Sequence, residues 1–194
     1  MNAPIADMLH AHVQATQAFI HTCAPAIETC AERLARGFAQ RPQPQRLFLC
    51  GNGGSACDAM HIAGEFVGRF REDRQALPAI ALSADSGILT AVGNDYGFDE
   101  VFARQIAALA HAGDTLFALS TSGHSPNVVR ALETATNAGL YCILLTGERG
   151  KTQTRLADEV WAVPSQDTAR IQEAHMSALH MLTARVEAHL HQAQ

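Results

Sequence analysis

Two pairs of side chains, far apart in the chain, have the types and spacing that acid–base or metal chemistry uses. His61 and Glu65 are four residues apart, which on a helix places them on one face, one turn from each other. Gln172 and His180 are eight apart, about 80° around a helix axis, so both can point into one cleft with Met176 between them. Imidazole, carboxylate and carboxamide oxygen, drawn together from two helices, could hold a divalent metal ion. Taken alone, His61 with Glu65 is more often an ordinary surface pair on a helix, and a lone histidine on an apolar helix a satisfied core residue. His175 reads as structural or as a support for its neighbours. His10, His12, His21, His111, His189 and His191 read as surface or terminal residues, the last two suited to a helix C-terminus.

Two loops could bind an anion or a sugar. Residues 120–127 read Ser-Thr-Ser-Gly-His-Ser-Pro-Asn, four hydroxyl side chains and one glycine. Pro126 fits a first helical turn, where a missing N–H costs nothing, and Ser125 is then an N-cap candidate. Hydroxyls and backbone N–H groups ahead of a helix dipole suit phosphate; the same residues suit a plain capped helix with a polar turn. No lysine follows in the pattern of a triphosphate-binding loop. The second loop, Gly51-Asn52-Gly53-Gly54-Ser55, permits close backbone approach to a ligand. It is not GxGxxG, and no acidic residue ends the next apolar run, so dinucleotide binding is disfavoured. Ser55 could cap the following helix, contact a ligand, or both. Cys57, near that helix start, is a candidate reactive thiol, though a merely tolerated cysteine explains it as well.

The elements that must position these groups alternate. Residues 5–40 read as helix with a break near Pro25, and 41–44 as a loop. Apolar runs at 46–50, 79–82, 115–119, 141–145 and 159–163 read as strands. Helices are expected at 55–70, around Ile88 and Phe102, at 126–138 and at 169–191. Short, doubly apolar strands alternating with helices predict a parallel sheet covered on both faces. The expected fold class is therefore α/β: a three-layer αβα sandwich with a five-stranded parallel sheet, preceded by a long N-terminal helical segment. The 194 residues suit a single domain, and the first helix, at 1–40, is an expected oligomer contact. Ligands in such folds sit beyond the carboxyl ends of the strands, where both loops lie.

Bulk properties exclude some classes. Net charge is −5 with no like-charge block, which argues against nucleic acid as a partner. No membrane span or signal peptide is expected, since residues 1–11 carry Asp7 and no basic region. The five cysteines form no CxxC pair and read as reduced thiols of a cytoplasmic protein, mostly buried.

Taken together, the motifs resemble a known family. Residues 50–55 with Asp58, His61 and Glu65 resemble the opening signature of phosphoheptose isomerases of the sugar isomerase (SIS) type. Val92-Gly93-Asn94-Asp95-Tyr96-Gly97-Phe98, residues 119–125, and Arg170-Ile171-Gln172-Glu173-Ala174-His175 with His180 resemble three further blocks. The resemblance implies an aldose–ketose isomerase acting on sedoheptulose 7-phosphate in a cytoplasmic heptose pathway. It implies one zinc per subunit on His61, Glu65, Gln172 and His180, and phosphate on Ser120, Thr121, Ser122 and Ser125 with Ser55 nearby. It places the sugar on Asn52, Gly53, Gly54, Asn94 and Asp95, and implies a homotetramer whose neighbouring chains complete each site. Within that reading Glu65 is the carbon base and His180 its acid/base partner. The alternative is a non-catalytic SIS module that binds a phosphosugar or a protein such as the replication initiator. Two positions depart from the family pattern: Ala169 stands where an acidic residue is frequent, and Lys151 where a second glycine is common.

Overall fold

The computed structural model describes residues 4–40 and 42–192; residues 1–3 of the N-terminal reading and Arg41 of the expected loop lie outside them. Five apolar runs become strands because each has a layer of helices to bury either face. β1 (Leu47–Gly51), β2 (Ala79–Ala81), β3 (Thr115–Leu119), β4 (Tyr141–Gly147) and β5 (Glu159–Val163) form one parallel sheet in the order β2-β1-β3-β4-β5. Alternate residues serve opposite faces. Leu47, Leu49, Phe117, Leu119, Ile143 and Leu145 pack with α1 (Ile5–Phe38), α2 (Gly54–Val67) and α6 (Thr168–Gln192). Phe48, Cys50, Leu116, Ala118, Cys142 and Leu144 pack with α4 (Ala103–Leu109) and α5 (Pro126–Asn137). The result is the expected three-layer sandwich. α3 (Ser86–Tyr96) buries no residue and is capped by Asp85, which accepts from Ile88 N–H at 2.9 Å.

Pro25 does not break α1, contrary to expectation: one helix runs from Ile5 to Phe38. An interior proline costs about 3 kcal/mol. Phe19 and Cys23 before it, and Ile27, Cys30 and Leu34 after it, are all buried. Each large apolar side chain contributes roughly 1.5–3 kcal/mol, which outweighs the proline. Glu28 ties α1 to α6 through Arg185 at 2.7 and 2.8 Å and His189 at 2.8 Å. Arg185, burial opposing, holds the Glu28 carboxyl down at about 2. Nearer its start α1 meets α6 through Arg170, which donates to the Met8 carbonyl at 2.8 Å, but leaves Ile5 85% and Leu9 62% exposed.

α2 also differs from expectation, ending at Val67 rather than near Phe70. Gly68 follows, and the backbone N–H groups of Phe70, Arg71 and Glu72 turn onto the Glu187 carboxylate of α6. Four cysteines (Cys23, Cys30, Cys50, Cys142) are buried and Cys57 is exposed; all five are free. Burial pushes the Cys23 thiol up to about 11. Among the described residues no helix is long and apolar enough to cross a membrane.

His175 is fully buried and donates through Nε2 to the Thr146 carbonyl at 3.1 Å. Burial, only partly opposed by that carbonyl, lowers its pKa from 6.5 to about 4. The unfolded chain takes up this proton near pH 6.5, whereas the fold resists it until about pH 4. Stability from this residue is therefore intact above pH 6.5 and falls toward pH 4 by ~3 kcal/mol. Urea midpoints measured across that range should fall in the parent protein and fall less steeply in a His175→Asn variant.

Candidate active site

β1 and β3 are neighbours, and Gly51 pairs with Leu119 at their carboxyl ends. The chain continues from β1 toward β2 on one side and from β3 toward β4 on the other. This is the switch point at which α/β sheets open a crevice, and both ligand-type loops leave from it. Asn52 and Asn127 lock the loops together: each Nδ2 donates to the other's Oδ1 at 2.8 Å, and Asn127 is buried. The Asn52 side chain, expected on the sugar, is thus engaged in holding the two loops in register.

In the second loop Ser120 Oγ lies 3.0 Å from Ser125 Oγ and 3.5 Å from Ser122 Oγ. Gly123, at φ +72°, turns the chain and donates to the Ser120 carbonyl at 2.9 Å. Pro126 is the first residue of α5, as its ring requires. Ser125 precedes it but makes no side-chain cap. Its hydroxyl joins Ser120 instead, which keeps three hydroxyls in one cluster at the start of a helix. That arrangement suits a phosphate group. Thr121 follows Ser120, and its carbonyl accepts from Gly147 N–H at 3.1 Å.

α2 and α6 supply the ionisable groups. His61 Nε2 is 2.9 Å from His180 Nε2 and 3.4 Å from Glu65 Oε1. One ligand atom from each of the three residues lies within 4.8 Å of the others. A tetrahedral zinc with 2.0–2.1 Å bonds needs ligand atoms about 3.3 Å apart. Two imidazoles and a carboxylate at these separations fit such an ion. Burial and then the adjacent His61 hold His180 below the ordinary imidazole range, with Glu65 opposing. Glu28, Glu32 and His189 also converge, but Arg185 already compensates Glu28 there. Gln172, expected with the first set, sits two turns earlier on α6 and donates to Ser55 Oγ at 3.4 Å. Its amide occupies the space beside Gly54, where a Cβ would lie 2.7 Å from Nε2. Ser55 is buried within α2 and is not its N-cap; Gly53 holds that position at φ +55°.

Residues 9–147 match the SIS domain family. A phosphoheptose isomerase of Roseiflexus sp. (strain RS-1) is 45% identical over 194 residues, 96% of this chain and 97% of its own. The chain belongs to the phosphoheptose isomerase family. Solved phosphoheptose isomerases share its architecture. That of Francisella tularensis has a TM-score of 0.88 at 34% identity, covering 95% of this chain and 96% of its own. That of Neisseria gonorrhoeae has a TM-score of 0.85 at 37% identity, covering 95% and 97%.

Within this phosphoheptose isomerase fold the remaining expected residues divide. Asn94 and Asp95 lie exposed near the end of α3, where Asn94 donates to Asp95 at 2.7 Å. Among the described residues no hydrogen bond ties them to the loops or to the histidine–glutamate set. Ala169 lines a cavity of about 480 Å³ with His12, Asp58, Gln172, Glu173 and Met176. Asp167 turns away and accepts from Ala169 N–H at 2.9 Å at the start of α6. Asp58 is a carboxyl of this cavity, with Oδ2 unpartnered among the described residues. Burial raises it from 3.8 to about 6, with His61 opposing. Lys151 is exposed and pairs with Glu148, so its departure touches only a surface turn. Gly150 beside it is the packed residue.

Several residues that shape the site carried no local signal. Phe70 stacks on His180 with ring centroids 5.4 Å apart and 11° between planes. Arg74 and Glu187 pair behind it at 3.1 Å. Only the seven-residue step from His180 to Glu187, two helical turns along one face, could have drawn attention to the carboxylate. His12 and His189, read as plain surface residues, each pair with a carboxylate, Glu173 and Glu28.

Proposed function

We propose that this chain interconverts sedoheptulose 7-phosphate and D-glycero-D-manno-heptose 7-phosphate through an enediolate. The reaction is an intramolecular oxidation–reduction, an aldose–ketose isomerisation, and would open bacterial ADP-heptose synthesis for lipopolysaccharide. The reading places it in the cytoplasm as a homotetramer with one zinc per subunit. The observation that carries the reading is the convergence of His61, Glu65 and His180 from two helices, on a sheet that also presents a three-hydroxyl cluster. Relatives at 45% identity that bear the isomerase name support it. The exposed apolar side chains Ile5, Leu9 and Val13 of α1 support assembly with further copies.

The chain's own residues account for the chemistry. Ser120, Ser122 and Ser125, with Thr121, hold the phosphate, so the distant C1–C2 bond is presented in one register. Glu65 removes a proton from C1 of the ketose, and the electron pair moves toward O2 to give the enediolate. His180 moves the hydroxyl proton between O1 and O2. Return of the carbon-bound proton to C2 completes the aldose. Gln172, Ser55 and the backbone of Gly53 and Gly54 line the sugar. Zinc on His61, Glu65 and His180, with Gln172 as the expected fourth ligand, would supply a Lewis acid for the developing oxyanion.

The test is a panel of phosphosugars of five, six and seven carbons, followed by NMR for aldose formation. Heptose 7-phosphate should appear from sedoheptulose 7-phosphate at a kcat/KM at least about tenfold above the shorter ketoses. Equal turnover of a shorter sugar reassigns the substrate. Tight binding of sugar phosphate or of a protein without turnover favours the non-catalytic module.

A further inference from the structure

Glu187 is a buried carboxylate that the proposed chemistry does not use, and its surroundings are unusually specific. It accepts from the backbone N–H groups of Phe70 at 3.1 Å, Arg71 at 3.1 Å and Glu72 at 3.4 Å, and from Arg74 Nε at 3.1 Å. Its side chain is 3% exposed and that of Arg74 5%. Arg74 in turn donates to the carbonyls of Glu65 at 2.7 Å, Phe66 at 2.9 Å and Gly68 at 3.4 Å. It thereby satisfies the carbonyls left open at the end of α2. One ion pair thus fastens the end of the helix carrying His61 and Glu65 to the helix carrying His180. The segment it folds over delivers the Phe70 ring flat against the His180 imidazole.

We propose that the Arg74–Glu187 pair and Phe70 form a positioning device for His180, fixing its ring plane so that Nε2 faces His61 and Glu65. Three consecutive N–H groups on one carboxylate define the path of residues 70–72 more tightly than a surface ion pair could. An imidazole on a partly exposed helix face otherwise samples several rotamers. Stacking against Phe70 selects one of them. Phe70 and Glu187 touch no reacting atom in this reading; they act through His180. Ring shape rather than polarity is what Phe70 contributes, so tyrosine should replace it and leucine should not.

The kinetic arm rests on the isomerase reading, and a spectroscopic arm does not. Full-length protein loaded with zinc and labelled at histidine is compared with Phe70→Leu, Phe70→Tyr and Glu187→Gln. The His180 Hε1 resonance, assigned by its loss in His180→Gln, should show the upfield ring-current shift of a stacked imidazole. Phe70→Leu and Glu187→Gln should lose that shift, and kcat should fall about tenfold with KM nearly unchanged. Phe70→Tyr should retain both. A His180 resonance unmoved in Phe70→Leu overturns the proposal, as does a parental kcat in that variant. Should Glu187→Gln fail to fold, kcat in Phe70→Leu against Phe70→Tyr decides, since Phe70 is only half-buried. Absence of turnover in the parent protein would sink the isomerase reading, while the His180 resonance in Glu187→Gln, which keeps the Phe70 ring, still decides the positioning role.

Discussion

Glu65→Gln should lower turnover of sedoheptulose 7-phosphate by ~10³-fold, within the usual range for loss of a general base. Glutamine keeps the shape of the side chain and an oxygen that can face a cation, but it cannot accept the carbon-bound proton. The Glu65 side chain is 22% exposed and sits one turn from His61 on α2, open enough to meet a substrate. A cation on the same carboxylate would lower its basicity, so a Glu65 held on zinc would be the weaker base. The variant therefore separates two roles. Measured zinc content near the parent's, an unchanged KM and a collapsed kcat assign Glu65 to proton transfer. Turnover near the parent's in a folded, zinc-loaded Glu65→Gln removes it from that role, and lost zinc with a collapsed rate makes it chiefly a ligand.

Gly123→Ala should damage both stability and phosphate binding. Gly123 has φ +72°, where a side chain costs about 1–2 kcal/mol. A Cβ there would also lie 2.5 Å from the Gly150 Cα and 3.1 Å from Thr146 Oγ1. The closer neighbour is backbone, so a loop has to move rather than a flexible side-chain end. Overpacking of this kind adds roughly 1–3 kcal/mol. The expected sum of about 3 kcal/mol corresponds to a melting point roughly 5–12 °C lower. Because Ser122 and Ser125 flank the displaced residue, KM for the sugar phosphate should rise about tenfold or more. A variant with unchanged melting point and KM would show that the loop tolerates the methyl group and that its shape is not what binds phosphate.

The layered fold was legible because its signals are local. Runs such as Leu47–Gly51 and Thr115–Leu119 are mostly apolar and buried throughout, as strands covered on both faces must be. Each ends in a glycine- or serine-rich turn. The same locality misled at Pro25, where residue preference predicts a break and packing of Phe19, Cys23, Ile27 and Leu34 overrides it. At the site, the four-residue step from His61 to Glu65 showed which helix face they share. Their meeting with His180 depends on how α2 docks against α6, which the strand and helix pattern does not state. Resemblance to the isomerases, rather than spacing, supplied that partner. Phe70, Arg74 and Glu187 escaped both routes. The phenylalanine lies past the expected helix end, and its carboxylate anchor is 117 positions away. Ser125 fitted an N-cap by type, yet its hydroxyl goes to Ser120, a choice only the folded loop makes.

The first helix and the last lie side by side, and the last also brings Gln172, His180 and Glu187. During translation, then, α1 must wait for α6, which follows it in the chain. Until α6 has left the ribosome, Phe19, Ile27 and Leu34 lack part of the surface that shelters them, and a half-made chain is both inert and adhesive. Holding by a chaperone, or pairing with another nascent copy, is most useful in that interval.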